Sequence, residues 1–179
     1  VADSGEVRVG DGAGGLRPLP PGSPHAALAA GIGMVHQHFT LATNLSVHDN
    51  IVLGTQSLWR PWPQRRRTAL EALMADSGLQ VPLDARIGTL SGGERQRVEI
   101  LKALYRNARI LVLDEPTAVL TPQEADRLFE VIERLAGQGL AVIFISHKLP
   151  EVMRLAGRVA VLRGGRKVAE MPTAGSSPA

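Results

Sequence analysis

Two short apolar runs in the second half of the chain predict buried strands. Ile110–Leu113 and Ala141–Ile145 are continuous runs of apolar residues, as in strands of a parallel sheet covered on both faces. Between them, Thr121-Pro122-Gln123-Glu124 has the residues of a helix N-cap with a capping box. The helix that follows has apolar residues on one face at Leu128, Val131, Ile132 and Leu135. This strand–helix–strand order predicts an α/β fold with a parallel sheet.

The first 40 residues give weaker patterns. We expect a short strand at 6–9, a loop at 10–24 where Gly and Pro are frequent, and a buried strand at Ile32–Val35 after a short helix end. The spacing of a dinucleotide-binding fingerprint occurs at Gly10, Gly12 and Gly15. That fingerprint needs a helix directly after it, and the prolines that follow exclude one, so we interpret the glycines as loop residues.

From Leu45 to about residue 88 the pattern becomes helical. The segment 44–47 resembles a helix start, and two prolines break the pattern at 59–63. One helix face carries Leu70, Leu73 and Met74. Three consecutive arginines, Arg65–Arg67, are typical of a solvated helix start, and a contact to phosphate is the alternative.

The end of the chain predicts smaller elements. We expect a short helix at 150–156 and a hairpin with strands at 159–162 and 166–169, joined by Gly164-Gly165. Residues 171–179 are interpreted as a polar tail or linker.

Composition limits the classes of function. An apolar fraction of 44% and a charged fraction of 21% are those of a globular protein. No apolar run approaches the ~18 residues of a membrane-spanning helix. The absence of Cys excludes a disulfide scaffold and a Cys-based zinc site. A net charge of +3 and only 3% aromatic residues argue against a nucleic-acid partner.

Two adjacent acids follow the first apolar run. Asp114 and Glu115 come at the carboxyl end of the predicted strand, which is where open α/β sheets bind ligands. Carboxylates at such a position are costly unless a cation shares the site. With Mg²⁺ and a nucleotide, Asp114 would hold the metal and Glu115 would polarise an attacking water. The alternative is a strand that ends in two solvated acids.

A second candidate site precedes the predicted helix at 98–105. Ser91, Gly92 and Gly93 stand at its start, where free N–H groups and the helix dipole favour an anion. A Ser N-cap after a turn is the common alternative. The residues that follow, Glu94-Arg95-Gln96-Arg97, make the combination far more specific than Ser-Gly-Gly alone.

Together these stretches resemble ABC-type ATPases. Leu90–Arg97 resembles the signature motif of that family, and Asp114-Glu115-Pro116 resembles the end of its Walker B strand. Gln37 is similar to the Q-loop glutamine, and Ile145-Ser146-His147 resembles the switch-histidine segment. The helical stretch 45–88 lies where the family inserts a helical subdomain. The order and spacing of the motifs match the family along nearly the whole chain.

The resemblance implies a fold and a division of the chain. The fold would be α/β and P-loop NTPase-like, with a mostly parallel sheet, an inserted helical subdomain and an N-terminal truncation. Residues 1–43 would complete the N-terminal ATPase core with the Q-loop, and residues 44–89 would form the helical subdomain. Residues 90–170 would carry the signature, Walker B and switch histidine, and residues 171–179 the tail.

The resemblance also implies cofactors and roles. The cofactors would be ATP and Mg²⁺. Asp114 and Gln37 would bind the metal, Glu115 would activate water, and His147 would hydrogen-bond a γ-phosphate. Gln37 would also sense a membrane subunit. The residues expected to face the nucleotide of a partner domain are Ser91, Gly92, Gly93 and Glu94.

Three further stretches narrow the resemblance. Residues 33–39, 50–54 and 117–124 resemble bacterial importers of nucleosides and simple sugars, in which two ATPase domains share one polypeptide. This chain resembles the first of the two. The implied partners are a second ATPase domain, transmembrane permease subunits and, indirectly, a solute-binding protein, with no nucleic acid. The implied location is the cytoplasmic face of the membrane, as a peripheral protein.

The main departure is the phosphate-binding loop, Gly-x-x-x-x-Gly-Lys-Ser/Thr. None of the three lysines, Lys102, Lys148 and Lys167, follows a glycine. We therefore expect a strand–loop–helix unit upstream of Val1, and little ATPase activity from this chain alone. Glu94 replaces the usual Gln of the signature, and Thr121 stands where the D-loop usually has Asp.

Three functions remain open at this stage. The first is a transport ATPase, the second a soluble ABC ATPase acting on ribosomes or DNA, and the third a non-catalytic module unable to bind ATP by itself. The second class usually carries long charged insertions, and the sequence has none. A metal site at His36, His38 and His48 is disfavoured because no Cys or acid accompanies the first two histidines.

Overall fold

The chain divides into two compact units. In this computed structural model, which describes residues 5–10, 14–54 and 63–174, one unit is Gly31–Ile145 and the other combines Val1–Ala30 with Ser146–Ala179. The expected division at residues 43, 89 and 170 stays a prediction. The predicted proline break at 59–63 lies mostly outside the described residues, as do Gly12 and the end of the tail.

From residue 32 to residue 155, strands and helices follow the order that the sequence predicts. The strands are β1 Val7–Gly10, β2 Leu16–Leu19, β3 Ile32–Val35, β4 Ile110–Asp114, β5 Ala141–Ile145, β6 Arg158–Arg163 and β7 Arg166–Pro172. The helices are α1 Pro24–Ala29, α2 Val47–Val52, α3 Pro63–Ser77, α4 Gly92–Tyr105, α5 Pro122–Gly137 and α6 Leu149–Leu155. Among the described residues, no helix is both long and apolar enough to span a membrane.

The larger unit is built on a parallel sheet in the order β3-β4-β5. Ile32 pairs with Ile110, and Ile110 pairs with Ala141, so the three strands end at one edge. Helices α2 and α3 lie between β3 and α4 in the chain. The α/β fold with a parallel sheet is thereby confirmed. Its geometry brings the segments that follow β3 and β4 to the same edge.

Helices α4 and α5 cover one face of this sheet. Val35, Leu111 and Leu113 point to that side and are fully buried. On α4, the buried residues include Val98, Ile100 and Leu101. The ring of Phe129 on α5 meets Phe144 on β5 edge-to-face at 6.3 Å. The core of the unit therefore lies between the sheet and this pair of helices.

The sequence-based expectation of cover on both faces is wrong for β5, whereas Ile110 and Val112 of β4 are half-buried on the same face. Ile143 and Ile145 are 52% and 45% exposed, and Met34 on β3 is 44% exposed. Side chains alternate between the two faces of a strand, so Val142 and Phe144 turn towards the other side. The described part of the chain leaves the face with Ile143 open to solvent.

The predicted start of α5 is confirmed. The Thr121 hydroxyl accepts the Glu124 N–H, and the Glu124 carboxylate accepts the Thr121 N–H, with Pro122 at the first helical position. Leu128, Ile132 and Leu135 are buried as expected. Val131 is only half-buried, and Phe129 is buried in addition. Gly137 is the last residue of the helix.

The smaller unit contains two antiparallel hairpins. Strands β1 and β2 pair from Val7 with Leu19 to Gly10 with Leu16. The expectation of a loop throughout 10–24 is therefore wrong, because the chain extends again at Leu16–Leu19 after the glycines. Strands β6 and β7 form the predicted second hairpin. It is longer than predicted, since Met171 and Pro172 belong to β7 rather than to a tail.

Candidate functional site

The acidic pair lies at the carboxyl end of the parallel sheet. Asp114 is the last residue of β4, and the Glu115 N–H donates to the Ile145 carbonyl of β5 at 2.9 Å. Glu115 has a φ of 47°, in the left-handed region that residues other than glycine seldom occupy. Such conformations occur at active sites, where the surrounding structure holds them in place. The acidic pair therefore sits in a fixed turn between two strand ends.

Gln37 follows the end of the neighbouring strand. It lies two residues beyond β3, is exposed, and stands at the same sheet edge as Asp114, because β3 and β4 run parallel. An amide oxygen and two carboxylates are ligands that suit Mg²⁺. Within the described residues, no three His, Asp or Glu side chains form a preassembled metal cluster. The roles of Gln37, Asp114 and Glu115 stay predictions.

The N-terminus of α4 is closed by a capping box that the sequence interpretation had not identified. The Ser91 hydroxyl accepts the Glu94 N–H at 3.2 Å, and the Glu94 carboxylate accepts the Ser91 N–H at 2.8 Å. The pattern Ser-x-x-Glu was the available signal. Glu94, which stands where the family usually has Gln, therefore stabilises the start of its own helix.

Glu124 joins this helix start to that of α5. Its carboxylate accepts the Ser91 hydroxyl at 3.4 Å. The Thr121 N–H and hydroxyl hold the pKa of Glu124 below its usual value, with smaller contributions from the Gly93 N–H and the Ser91 hydroxyl. A carboxylate thus lies where the free N–H groups of α4 favour an anion. The sequence predicted Glu124 as a cap and gave no sign of this second contact.

A side chain at either glycine of the motif would require a neighbouring group to shift. A Cβ placed on Gly93 would lie 2.5 Å from the Glu124 Oε1 atom, and one on Gly92 would lie 3.1 Å from the Val119 carbonyl oxygen. Contacts under 3.0 Å do not occur for real Cβ atoms. Glycine at position 93 therefore lets an acceptor group approach the backbone N–H, as a phosphate oxygen would.

A pocket opens beside this helix start. Its volume is about 360 Å³, and it lies between α4, α5 and the end of α3. Gln96 lines it, is 3% exposed, and has an Nε2 atom with no hydrogen-bond partner in the described structure. Polar lining residues include Ser91, Gln96, Arg97, Glu124, Arg127 and Arg134.

His147 belongs to the smaller unit. It is exposed and follows β5 by two residues, with Ser146 between them. The Ser146 hydroxyl donates to Glu151 at 3.2 Å and accepts the Lys148 N–H at 3.0 Å, which fixes the turn that carries His147. Its expected role towards a γ-phosphate stays a prediction.

The sequence interpretation missed two buried polar residues near Gln37. Glu99 on α4 is 5% exposed and Asn50 on α2 is 1% exposed. The sequence carries no clear signal for Glu99, because the residues three and four positions away on the helix include the polar Arg95, Gln96 and Lys102. The hydrogen bonds of Glu99 and Asn50 hold the chain just after β3.

Comparison with known proteins assigns the family. The family profile described as ABC transporter matches residues 3–118. The chain is 41% identical to the glucose import ATP-binding protein TsgD13 of Haloferax volcanii, over 99% of this chain and 37% of that protein. It is 43% identical to the ribose import ATP-binding protein RbsA 2 of Escherichia coli O157:H7, over 96% of this chain and 33% of that protein. The chain spans about a third of the length of these curated relatives.

Solved structures share the fold. The cbiO1 protein from Clostridium perfringens, part of the ABC transporter complex cbiONQ, matches 88% of this chain and 63% of its own, with a TM-score of 0.74 at 23% identity. The dimeric ATP-binding cassette MJ0796, bound to ADP and Pi after hydrolysis, matches 84% of this chain and 67% of its own. Its TM-score is 0.68 at 26% identity.

Proposed function

The chain belongs to the ABC transporter family, and on that premise we propose that it is part of the ATP-binding subunit of a sugar importer. The subunit would couple ATP hydrolysis to uptake of a simple sugar or nucleoside. The observation that carries the proposal is the Asp114-Glu115 turn at the carboxyl edge of the sheet, with Glu115 held at a φ of 47°. The names of the curated relatives, which import glucose and ribose, support the class of solute.

In this proposal the acidic pair has two separate tasks. Asp114 would hold Mg²⁺ with the help of the Gln37 amide oxygen, and Glu115 would orient and polarise the attacking water. His147 would donate a hydrogen bond to the γ-phosphate. The bound metal would neutralise negative charge on the phosphates. The residues themselves supply oxygen ligands and a fixed turn, which fits this chemistry.

The start of α4 would face a nucleotide held by a second ATPase domain. Ser91 supplies a hydroxyl, and Gly93 supplies an N–H that no Cβ shields. Both groups already bind a carboxylate, that of Glu124, which supports their fit to a phosphate oxygen. The partners would be that second domain and the transmembrane permease subunits, at the cytoplasmic face of the membrane. A solute-binding protein would act through the permease.

We propose that Glu115 is required for transport. The test is Glu115→Gln, introduced into the gene that encodes the protein in its own host cell. This substitution removes the carboxylate that would polarise water and keeps the size of the side chain. We expect ATP-driven uptake of one sugar or nucleoside to fall by at least about 100-fold, within the range of general-base effects. Uptake of labelled ribose, arabinose, glucose and nucleosides measures the loss.

The matched control is Glu130→Gln, an exposed glutamate of α5. It should leave all uptake unchanged. If Glu115→Gln also leaves uptake of every solute unchanged, the importer assignment fails. Retained uptake together with altered ribosome or DNA metabolism would favour a soluble ABC ATPase.

We further propose that these 179 residues do not bind ATP tightly by themselves. The phosphate-binding loop pattern is not among them, and no lysine follows a glycine. Calorimetric titration of the chain with ATP and Mg²⁺ should give heats of binding too small to yield a dissociation constant. A dissociation constant in the micromolar range would contradict this expectation. The weak result is also what a non-catalytic module would give, and the uptake experiment separates the two.

A further inference from the structure

A buried carboxylate fastens the segment after β3 to helix α4. The Glu99 Oε1 atom accepts the Thr40 N–H at 2.6 Å and the Thr40 hydroxyl at 2.9 Å. Glu99 is 5% exposed, whereas Thr40 lies at the surface three residues after Gln37. A buried carboxylate is costly unless its oxygens accept hydrogen bonds. The pair is therefore a specific attachment point rather than an incidental contact.

A second buried side chain holds the same segment from helix α2. The Asn50 Oδ1 atom accepts the Ala42 N–H at 2.8 Å, and its Nδ2 donates to the Ala42 carbonyl at 3.0 Å. Asn50 is 1% exposed. One amide thus satisfies both polar backbone groups of Ala42, as a neighbouring strand would. We call residues 38–45 the connecting segment.

The connecting segment also reaches the turn that leads into α4. The Gly88 N–H donates to the Thr43 carbonyl at 3.0 Å, and the Ile87 N–H donates to the Leu45 carbonyl at 3.1 Å. Gly88 lies three residues before Ser91. The Arg95 guanidinium of α4 donates to the Gly88 carbonyl at 3.1 Å. The segment is therefore attached both beside α4 and at its entrance.

We infer that Glu99 is a positioning residue that makes Gln37 and the N-terminus of α4 move together. Glu99 lies eight residues after Ser91, about 12 Å along a helix at 1.5 Å per residue. An intact helix transmits a displacement at Glu99 to Ser91 and Gly93. A partner that displaces the Gln37 end of the connecting segment would in this way shift the start of α4. That a partner uses this coupling during transport rests on the proposed function, whereas the coupling between the connecting segment and α4 does not.

Amide hydrogen exchange tests the link in the 179-residue chain without nucleotide. In Glu99→Ala, the Thr40 amide should exchange about 10- to 100-fold faster, the range for losing a hydrogen bond to a charged group. If Glu99 couples the connecting segment to the start of α4, the amides of residues 88–95 also lose protection from exchange. The matched control is Ile100→Val, the next residue on α4, which is fully buried and leaves both Thr40 hydrogen bonds in place.

The outcomes separate coupling from simple loss of stability. Faster exchange at 38–45 and 88–95 in Glu99→Ala, beyond that in Ile100→Val, supports the inference. Equal protection of 88–95 in these two variants overturns it. Should Glu99→Ala not fold, Thr40→Val must show the same pattern more weakly and Thr40→Ser must match the unmodified chain. Failure of Thr40→Ser to do so overturns the inference as well.

Discussion

At the scale of single residues, Glu124 serves two helices with one carboxylate. It caps α5 through Thr121 and lies against Ser91 and Gly93 at the start of α4. All the neighbouring groups donate hydrogen bonds, which stabilise the charged form of the acid. A nucleotide phosphate at the same place would have to displace this carboxylate.

The lowered pKa of Glu124 predicts a pH dependence of stability. A carboxyl whose pKa is lower in the folded state stabilises the fold fully above its unfolded value of 4.5. That contribution is lost as the pH falls through the lower folded value. The unfolding free energy should therefore exceed that of Glu124→Gln by no more than about 1 kcal/mol near neutral pH, the value for a solvated charge at a helix N-terminus, and this difference should shrink in acid. Urea unfolding at about pH 7, 5 and 3 measures it.

Glu130→Gln on the same helix is the control for this experiment. At pH 7 it should lower the unfolding free energy less than Glu124→Gln does, because Glu130 is exposed and caps neither α4 nor α5. A pH-independent difference for Glu124→Gln would show that the carboxylate does not form these hydrogen bonds in solution.

Residue identity predicted the acidic pair and the motif at the start of α4, because both are local in sequence. The left-handed φ of Glu115 could not be predicted, since the hydrogen bond to Ile145 joins residues 30 positions apart. The same holds for Glu99 with Thr40, which are 59 positions apart. Contacts between distant residues depend on the assembled sheet and helices.

At the scale of elements, α4 packs closely on β3 because Gly33 has no side chain. A Cβ there would lie 2.8 Å from the Ala103 Cβ and 3.0 Å from the Ala108 Cβ. Both neighbours are short side chains attached to fixed backbone. Helix and strand would have to separate to admit even one methyl group.

We predict that Gly33→Ala destabilises the chain by about 1–3 kcal/mol, the usual cost of overpacking. Gly93→Ala should cost less, although its Cβ would approach an atom at 2.5 Å, because that atom is the end of the flexible Glu124 side chain. Gly137→Ala is the control, since nothing lies within 4 Å of its Cβ position. Urea unfolding ranks the three variants. A cost for Gly33→Ala no larger than that for Gly93→Ala would contradict the close packing.

Capping patterns predicted the start of α5 correctly, because an N-cap and its partner are only three residues apart. Burial of β5 was predicted wrongly from its apolar run. An apolar run is compatible with burial on both faces of a strand. Whether both faces are buried depends on the helices and strands that pack around it. In the described structure, only the side with Phe144 is packed.

At the scale of the whole molecule, the two faces of the β3-β4-β5 sheet differ in burial. Leu111 and Leu113 are fully buried on one face, while Met34, Ile143 and Ile145 are about half exposed on the other. Exposed apolar side chains that lie together favour association or binding of apolar dyes. The two faces should therefore respond differently to the same kind of substitution.

We predict that Ile143→Thr lowers the unfolding free energy by no more than about 1 kcal/mol, because Ile143 is 52% exposed and Thr suits a strand. It should also reduce fluorescence of an added apolar dye. Leu113→Ala on the buried face should cost about 2–5 kcal/mol. Urea unfolding and dye fluorescence test both variants. A large cost for Ile143→Thr would show that this face is packed in solution.

The order of the parallel sheet also determines when β3 can first pair with β4 during synthesis of the protein. Ile32 pairs with Ile110, so β3 leaves the ribosome long before its neighbour exists. At about 5–20 residues per second, residues 36–109 take roughly 4–15 s to add. During that interval the apolar β3 strand lacks the β4 strand with which it pairs in the described structure. Slower translation of this stretch should prolong the time in which the nascent chain needs protection by a chaperone.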